Sequence, residues 1–360
     1  MRYFANAIFA LSFFASAGHC AETTDTPPIE IKAVVVAMFE IGEDEGDKPG
    51  EFQLWKKGQK LSTRYALPHA HHDIFVNEET GVLGIVTGMG IARASAAIMA
   101  LGLDPRFDLT HAYWLVAGIA GMDPADGTIG SAVWTDYVVD GDLAHQIDAR
   151  EIPSDWKTGY FPLFTHSPYA NAESVNPEQA PNGEVYILNA SLRDWAFNLT
   201  KDTALPNTSA MDKLRATYTG YPKALGAPTI MTGSHLSAST FWHGKLLNDW
   251  ANDWVEYWTQ SQGNFVTSGM EDSATLQALT YLDNAKLVDK NRVLILRTAS
   301  NFTMQPAGLT AAKNLELESS GEGYAALQSA VEAAYAVGSV VIEEITTNWD
   351  TVKTDIPAKK

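Results

Sequence analysis

Apolar runs recur along the chain and tend to stop at a glycine, a serine, an asparagine or an acid. "IKAVVVAM" (Ile31 to Met38) carries three consecutive valines, the pattern of a strand covered on both faces. Similar runs are "GVLGIVTG" near Gly84, "AYWLVAGI" ending at Ile119, "PTIMTG" ending at Gly233, "NFVTSG" ending at Gly269 and "RVLILRTAS" ending at Ser300. Between them, helical spacing marks Ile91 to Leu103, Lys245 to Trp258, Asp272 to Leu282 and a C-terminal stretch from about Glu322 to Ile345. Strands alternating with helices predict an α/β fold, with a mixed or parallel sheet covered on both faces. Two stretches break the rhythm: polar, His-containing Glu43 to Asp73, and Asp140 to Pro181, rich in Pro, Tyr and Asn. Both are long enough to be lids or pocket walls.

The N-terminus follows a different pattern. Arg2, a mostly apolar run from Phe4 to Ala17 and then small residues have the order of a secretory signal, predicted to be cleaved between Ala17 and Ala21. Residues 22–30, containing "TTDTPPIE", read as a linker, and one domain is expected over 31–350. This signal implies a periplasmic or secreted protein. The sole cysteine, Cys20, lies at the boundary, so the mature chain has no disulfide. No later stretch approaches the roughly 20 apolar residues of a membrane helix. The net charge of −18 disfavours nucleic acid polymers and anionic lipid surfaces, and a small neutral or weakly charged ligand fits better.

Candidate chemistry gathers at the ends of the apolar runs. In "NFVTSGMEDSATLQALTYL", Glu271 stands where a strand turns into a helix, with Asp272 or Ser273 as the N-cap. In open α/β sheets such strand ends form the ligand crevice. "TGMGIARASAAIMAL" (Thr87 to Leu101) is a glycine turn opening a helix, whose amides suit an anion or a sugar hydroxyl. Arg93 occupies the third glycine position of a dinucleotide fingerprint, which excludes that motif. A second glycine turn, "VAGIAGMDPADGTIG", leads into an alternating strand with Val133, Thr135, Tyr137 and Val139 on one face. "PHAHHD" (Pro68 to Asp73) has metal-ligand residue types, or is a solvated loop or polar pocket wall. Among the acids after the first run, Glu40 is closest to the strand end and is the candidate base. No H-E-x-x-H, nucleophile elbow or Walker loop is present.

Taken in order, these pieces resemble the nucleoside phosphorylase and nucleosidase superfamily, and more closely the purine nucleoside permease family. "KAVVVAM" followed by acids resembles the opening strand, "VTGMG" the first glycine turn, and "VAGIAGMDP…GTIGSAVWTDYVV" the turn into the Gly-Asp-type strand. "TSGMEDSAT" resembles the Met-Glu ribose site and "LRTASNF" the strand end with the base-contacting Asn or Asp. The resemblance implies a nucleoside phosphorylase-like three-layer α/β/α fold with a mixed central sheet, and a purine nucleoside ligand. It implies that Glu271 accepts from the ribose hydroxyls, that Met270 packs on the sugar, and that Asn301 contacts the departing purine, with Asn suiting a 6-oxopurine. Gly88, Gly90, Gly118, Ala120, Gly121 and Ser300 are the implied pocket backbone.

The nucleophile stays open between water and phosphate. A gapless register puts Ile41 where the hydrolytic branch has its water-activating glutamate, so Glu40 takes that role if the turn is reshaped. In a phosphorolytic enzyme phosphate is the co-substrate, and Arg93, with Arg64 as a further candidate, would hold it; no other cofactor and no metal is expected. Phe161, Phe241 and Trp242 are candidates for stacking on the base, with core packing as the alternative. The rival reading is a non-catalytic exported protein that captures nucleosides for an uptake partner. A neighbouring copy in a homo-oligomer could complete the pocket through the His69 to Asp73 loop.

Overall fold

The computed structural model describes residues 27–180, 182–319 and 323–358, so the expected signal segment lies outside the described residues. The apolar runs assemble into one ten-stranded mixed sheet. In chain order its strands are Ala33–Ala37 (β1), Thr63–Tyr65 (β2), Ile74–Asn77 (β3), Val82–Val86 (β4), Tyr113–Met122 (β5), Ala132–Asp140 (β6), Val185–Ile187 (β7), Ile230–Ser237 (β8), Phe265–Gly269 (β9) and Val293–Phe302 (β10). They lie in the order β7-β6-β8-β9-β5-β1-β4-β3-β2, and β10 pairs with both β5 and β6.

Side-chain alternation explains the layers. Val34 and Val36 of β1 share a buried cluster with Ala97, Ile98 and Leu101 of helix α1 (Ile91–Gly102). Other residues of β1, Ala33, Val35 and Ala37, belong to the opposite cluster with Leu192 and Ala196 of α2 (Ala190–Thr200). Two further helices complete these layers: Ala278, Leu279 and Leu282 of α4 (Asp272–Asn284) beside α1, and Val337, Val341 and Ile342 of α5 (Leu327–Thr347) beside α2. The fold is therefore the expected three-layer α/β/α arrangement around a mixed sheet. Each valine buried this way contributes about 1.5–3 kcal/mol, so a charge at Val35 would break the layer. Between α2 and α4 in sequence, α3 (Lys245–Thr259) buries Trp250, Trp254, Tyr257 and Trp258 in a separate cluster with Leu236 and Phe265.

One boundary differs from expectation, and the two long stretches gain definition. Ile29 and Glu30, read as linker, form a short parallel pair with Phe107 and Asp108, because Ile29 packs on the main core. Part of Glu43 to Asp73 is ordered structure: a helix over Gln53–Gly58, then β2, which pairs with β3 at the sheet edge. The stretch from Asp140 to Ala180 folds over α3, where Tyr160 lies 4.7 Å from Trp250 between ring centroids and Tyr257 donates to the Ala170 carbonyl at 3.0 Å.

Candidate functional site

Strand β5 creates the site by changing partners along one edge. Its first half pairs with β1 up to Val36 and Val116, and its end pairs with β9 through Gly121 and Met122. Parallel β1 and antiparallel β9 thus run toward each other and stop, leaving the Gly118–Ala120 stretch between their ends. Strand ends meeting at such a change of partner make a crevice. A cavity of about 600 Å³ opens there, within the range of small-molecule sites.

The interruption leaves backbone N–H groups that no strand can pair, and a carboxylate satisfies them. Glu51 accepts from Met38 N–H at 2.8 Å and from Ile119 N–H at 2.7 Å, bridging the end of β1 and the unpaired stretch of β5. Its residue is 4% exposed, and burial pushes its carboxyl up to about 8, against the pull of Arg297. Gly118 makes this convergence feasible. A Cβ at that position would meet Met38 Cε at 1.9 Å, Glu51 Oε1 at 2.7 Å and Arg297 Nη1 at 2.8 Å.

Glu271 and Asp272 enter from the end of β9. Glu271 is the backbone N-cap residue of α4, and Asp272 is its first helical residue; neither side chain caps the helix. Asp272 instead pairs with Arg297 of β10 through Nε at 3.0 Å and through Nη2, and its Oδ2 lies 3.0 Å from His235 Nε2. All three side chains are buried. Arg297 Nη2 also lies 3.4 Å from Glu271 Oε2, and its Nη1 donates to the Ile119 carbonyl at 3.0 Å. Burial raises Glu271 above the usual carboxylate range, while Arg297 and the Gly90 N–H pull it back. Asp272 is held well below that range: Arg297 and His235 outweigh the cost of its burial. Burial lowers His235, which keeps the imidazole neutral. Three carboxylates, Glu51, Glu271 and Asp272, therefore share one guanidinium at this end of the cavity.

Asn301 continues the wall from β10. Ser300 Oγ lies 3.0 Å from its Oδ1, and its Nδ2 donates to the Phe302 carbonyl at 3.2 Å. An amide nitrogen carries two hydrogens, so one remains for a ligand. Ala120, Gly121, Met270, Glu271, Ser300 and Asn301 line the cavity together, as do Phe241 and Trp242.

Other expected residues are placed elsewhere. Glu40 is outside the lining: its carboxylate accepts from the N–H groups of Ile41, Gly50, Phe52 and Gln53, which ties off the loop and leaves no oxygen for a ligand. Gly88 is likewise outside the lining, as is Arg93, which is exposed on α1. Gly90 serves the site indirectly. Its N–H donates to Glu271 Oε1 at 3.0 Å, and the next N–H, of Ile91, donates to Ser239 Oγ at 3.0 Å. The glycine turn therefore orients Glu271 and offers these N–H groups to no anion. Arg64 is bound to Asp73 in a separate polar cleft. Asp73 also accepts from Leu67 N–H, and His72 meets Asp44 at 2.9 Å. Among the described residues no group of three or more His, Cys, Asp or Glu is placed to hold a metal ion. Phe161 packs against His145 and Trp156, outside the cavity. Glu51 was missed because its partners are distant in sequence; the signal was an acid directly before the helical "FQLW".

A profile of the purine nucleoside permease family matches residues 30–357. The chain belongs to this family. A purine nucleoside permease of Candida albicans strain SC5314 is 30% identical over 342 residues, covering 92% of this chain and 80% of the relative. A second Candida albicans purine nucleoside permease is 30% identical over 328 residues, covering 89% and 76%. Among solved structures, a 5′-methylthioadenosine/S-adenosylhomocysteine nucleosidase from Colwellia psychrerythraea, in complex with adenine, is similar at 15% identity with a TM-score of 0.49. That match covers 88% of this chain and 96% of the nucleosidase. The permease family match spans every strand and helix that frames the cavity. For this purine nucleoside permease family member, no helix among the described residues is long and apolar enough to cross a membrane.

Proposed function

We propose that the cavity binds a purine nucleoside and hydrolyses its N-glycosidic bond. Family membership supports the ligand class. The observation that carries the chemistry is the set of three buried acids, Glu51, Glu271 and Asp272, around the one guanidinium of Arg297, a cluster that becomes net negative as Glu51 ionises at about 8. As the bond between C1′ and the purine nitrogen breaks, its electron pair leaves with the base and positive charge builds on the ribosyl carbon. Fixed negative charge held beside that carbon lowers the barrier. Capture alone needs hydroxyl acceptors and gains nothing from a second and third buried acid.

In this reading Glu271 accepts from the vicinal ribose hydroxyls, Met270 packs on the sugar, and Asn301 donates its free amide hydrogen to the departing base. Water adds to C1′ and gives its proton to Glu51, which returns it to the base, so that nucleoside plus water becomes ribose plus purine. Arg297 holds Glu271 in place. Water is favoured over phosphate because Lys48 and Arg297 are the basic residues of the lining, and Arg297 is committed to carboxylates. Read with the signal expected over residues 1–21, this chemistry lies in the periplasm or outside the cell.

The family description as a permease favours a second reading, capture of nucleosides for an uptake partner. One experiment separates the two. Purified protein is incubated with inosine, guanosine and adenosine, with and without phosphate, and free base and sugar are followed by chromatography. Base released without phosphate is the expected result. Strict dependence on phosphate would overturn hydrolysis, and tight nucleoside binding without turnover would leave the capture reading in its place.

A further inference from the structure

The stretch from Asp140 to Ala180 reaches the cavity wall through a chain of aromatic rings. Its strands Ala144–Gln146 and Tyr160–Pro162 pair antiparallel, and this hairpin lays Tyr160 on Trp250 of α3, with the ring planes 32° apart. Trp250 is buried and meets Trp242 edge to face, at 6.1 Å between centroids and 84° between planes. Phe265 of β9 stands 6.0 Å from the same Trp242 ring. Trp242 lines the cavity beside Thr240 and Phe241, whereas Tyr160 and Trp250 stand behind that lining. The segment Thr240 to Gly244 connects β8 to α3 and forms neither helix nor strand, so contacts on its two sides have to fix it. On one side is the Trp242 seat. On the other, Gly244 N–H donates to the Thr303 carbonyl at 2.9 Å, and His243 Nε2 lies 3.1 Å from Asn314 Nδ2. Gly244 has a φ of +117°, and a Cβ there would meet the Ala311 Cβ at 2.9 Å, which leaves little room on the side of the helix Ala311–Ser319.

We propose that Tyr160 is a positioning residue: through Trp250 it holds the segment that carries Phe241 and Trp242 in place, and so the Asp140 to Ala180 stretch sets the affinity for the flat base. The inference rests on the nucleoside reading above. An edge-to-face pair fixes a ring in tilt as well as distance, because the positive edge of one ring seeks the negative face of the other. Without Tyr160, Trp250 gains space on the side away from the cavity and tilts into it, and Trp242 loses the seat that fixes its plane. A purine is held by apolar area and ring faces, so a displaced wall weakens the hold on the base. The same displacement leaves Glu51, Glu271 and Arg297 where they are, since their contacts run to β1, β5, α4 and the Gly90 turn. Tyr160 therefore acts on binding and not on the cleavage step.

The test measures equilibrium binding of hypoxanthine, adenine and inosine, followed by kcat and KM for inosine. Tyr160→Ala is expected to raise Kd for free bases and nucleoside alike by about three- to tenfold, the scale of one aromatic contact, with kcat within about twofold of wild type. Tyr160→Leu covers Trp250 without a flat ring and is expected to weaken binding in the same direction, so the result does not hinge on the alanine variant folding. Tyr160→Phe keeps the ring and loses only the contact of its hydroxyl with Gln146, and should bind as wild type does. Tyr169→Ala removes another ring of the same stretch, one that lies 6.2 Å from Tyr257 farther along α3, and should leave base binding unchanged. Unchanged Kd values in both Tyr160→Ala and Tyr160→Leu would overturn the role of Tyr160. An equal loss in Tyr169→Ala would overturn it too, by showing general loosening of the stretch, as would a loss in Tyr160→Phe that matches the alanine variant. Wild type that binds neither base nor any purine nucleoside would sink the nucleoside reading itself.

Discussion

The two ends of the cavity are built differently. At the end proposed for the sugar, Glu51, Asp272 and Arg297 are buried and touch one another or shared backbone: Arg297 sits mid-strand in β10, Asp272 opens α4, and Glu51 is held by the N–H groups of Met38 and Ile119. At the end proposed for the base, Phe241 and Glu318 come from a connecting segment and a short helix, and Phe241 is 56% exposed. Buried groups tied to strands and a helix start hold charges in fixed geometry, which is what bond cleavage needs. Segments with fewer packed neighbours can change between relatives without disturbing the sheet, which suits selection among bases.

The largest effect should come from the group that bridges β1 and β5. Glu51→Gln keeps the size of the side chain but can accept from only one of the two backbone N–H groups and removes the proton acceptor, and kcat for base release should fall by about 10²–10⁴-fold. A loss under about threefold would remove Glu51 from the chemistry. Next comes the buried pair. Arg297→Met strands Asp272 without its partner and should cost about 3–5 kcal/mol of stability in urea unfolding. A much smaller loss would show the sugar end to be less rigidly built than the comparison requires.

Glu271→Gln should raise the nucleoside Kd about tenfold or more, the scale of a charge-assisted hydrogen bond, while leaving free-base binding intact. An equal loss for nucleoside and free base would contradict the division into sugar and base ends. A pH profile sharpens the same division. The ionised form of Glu51 is the competent base, and its carboxyl sits at about 8, so kcat/KM should rise with pH and level off near there. Below that point the slope should be about tenfold per pH unit, and it should vanish in Glu51→Gln. A profile that falls with pH over the same range would make Glu51 an acid. The smallest effect belongs to Arg93→Ala, which should change turnover and stability by less than about 0.5 kcal/mol because the side chain is exposed and outside the cavity. A large loss confined to assays containing phosphate would restore a phosphorolytic role.

Much of this was legible from local pattern. The valines of β1, the run ending at Ser300 and the junction at Glu271 each announce a strand end, because backbone pairing and side-chain alternation are written in consecutive residues. Family resemblance through "TSGMEDSAT" and "LRTASNF" placed Glu271 and Asn301 as candidates, and both line one cavity. Nearness in sequence misled at Glu40. It stands two residues after Met38, yet the reversal that brings Gly50 and Phe52 back absorbs its carboxylate, and Glu51 is carried to the gap instead. Short strands such as β2 and β7, at three residues each, have too little pattern to be read alone and exist because a longer neighbour pairs with them.

The sequence by itself determined the layered α/β architecture, the acidic character and the positions where strands end. The tertiary structure alone decided which acid fills the interruption in β5, which N–H groups are already taken, and that Asp272, His235 and Arg297 form one buried cluster. The physical reason is range. Secondary structure follows from neighbours a few residues apart, whereas Met38, Glu51, Ile119 and Arg297 become a site only when sheet pairing closes the distances between them.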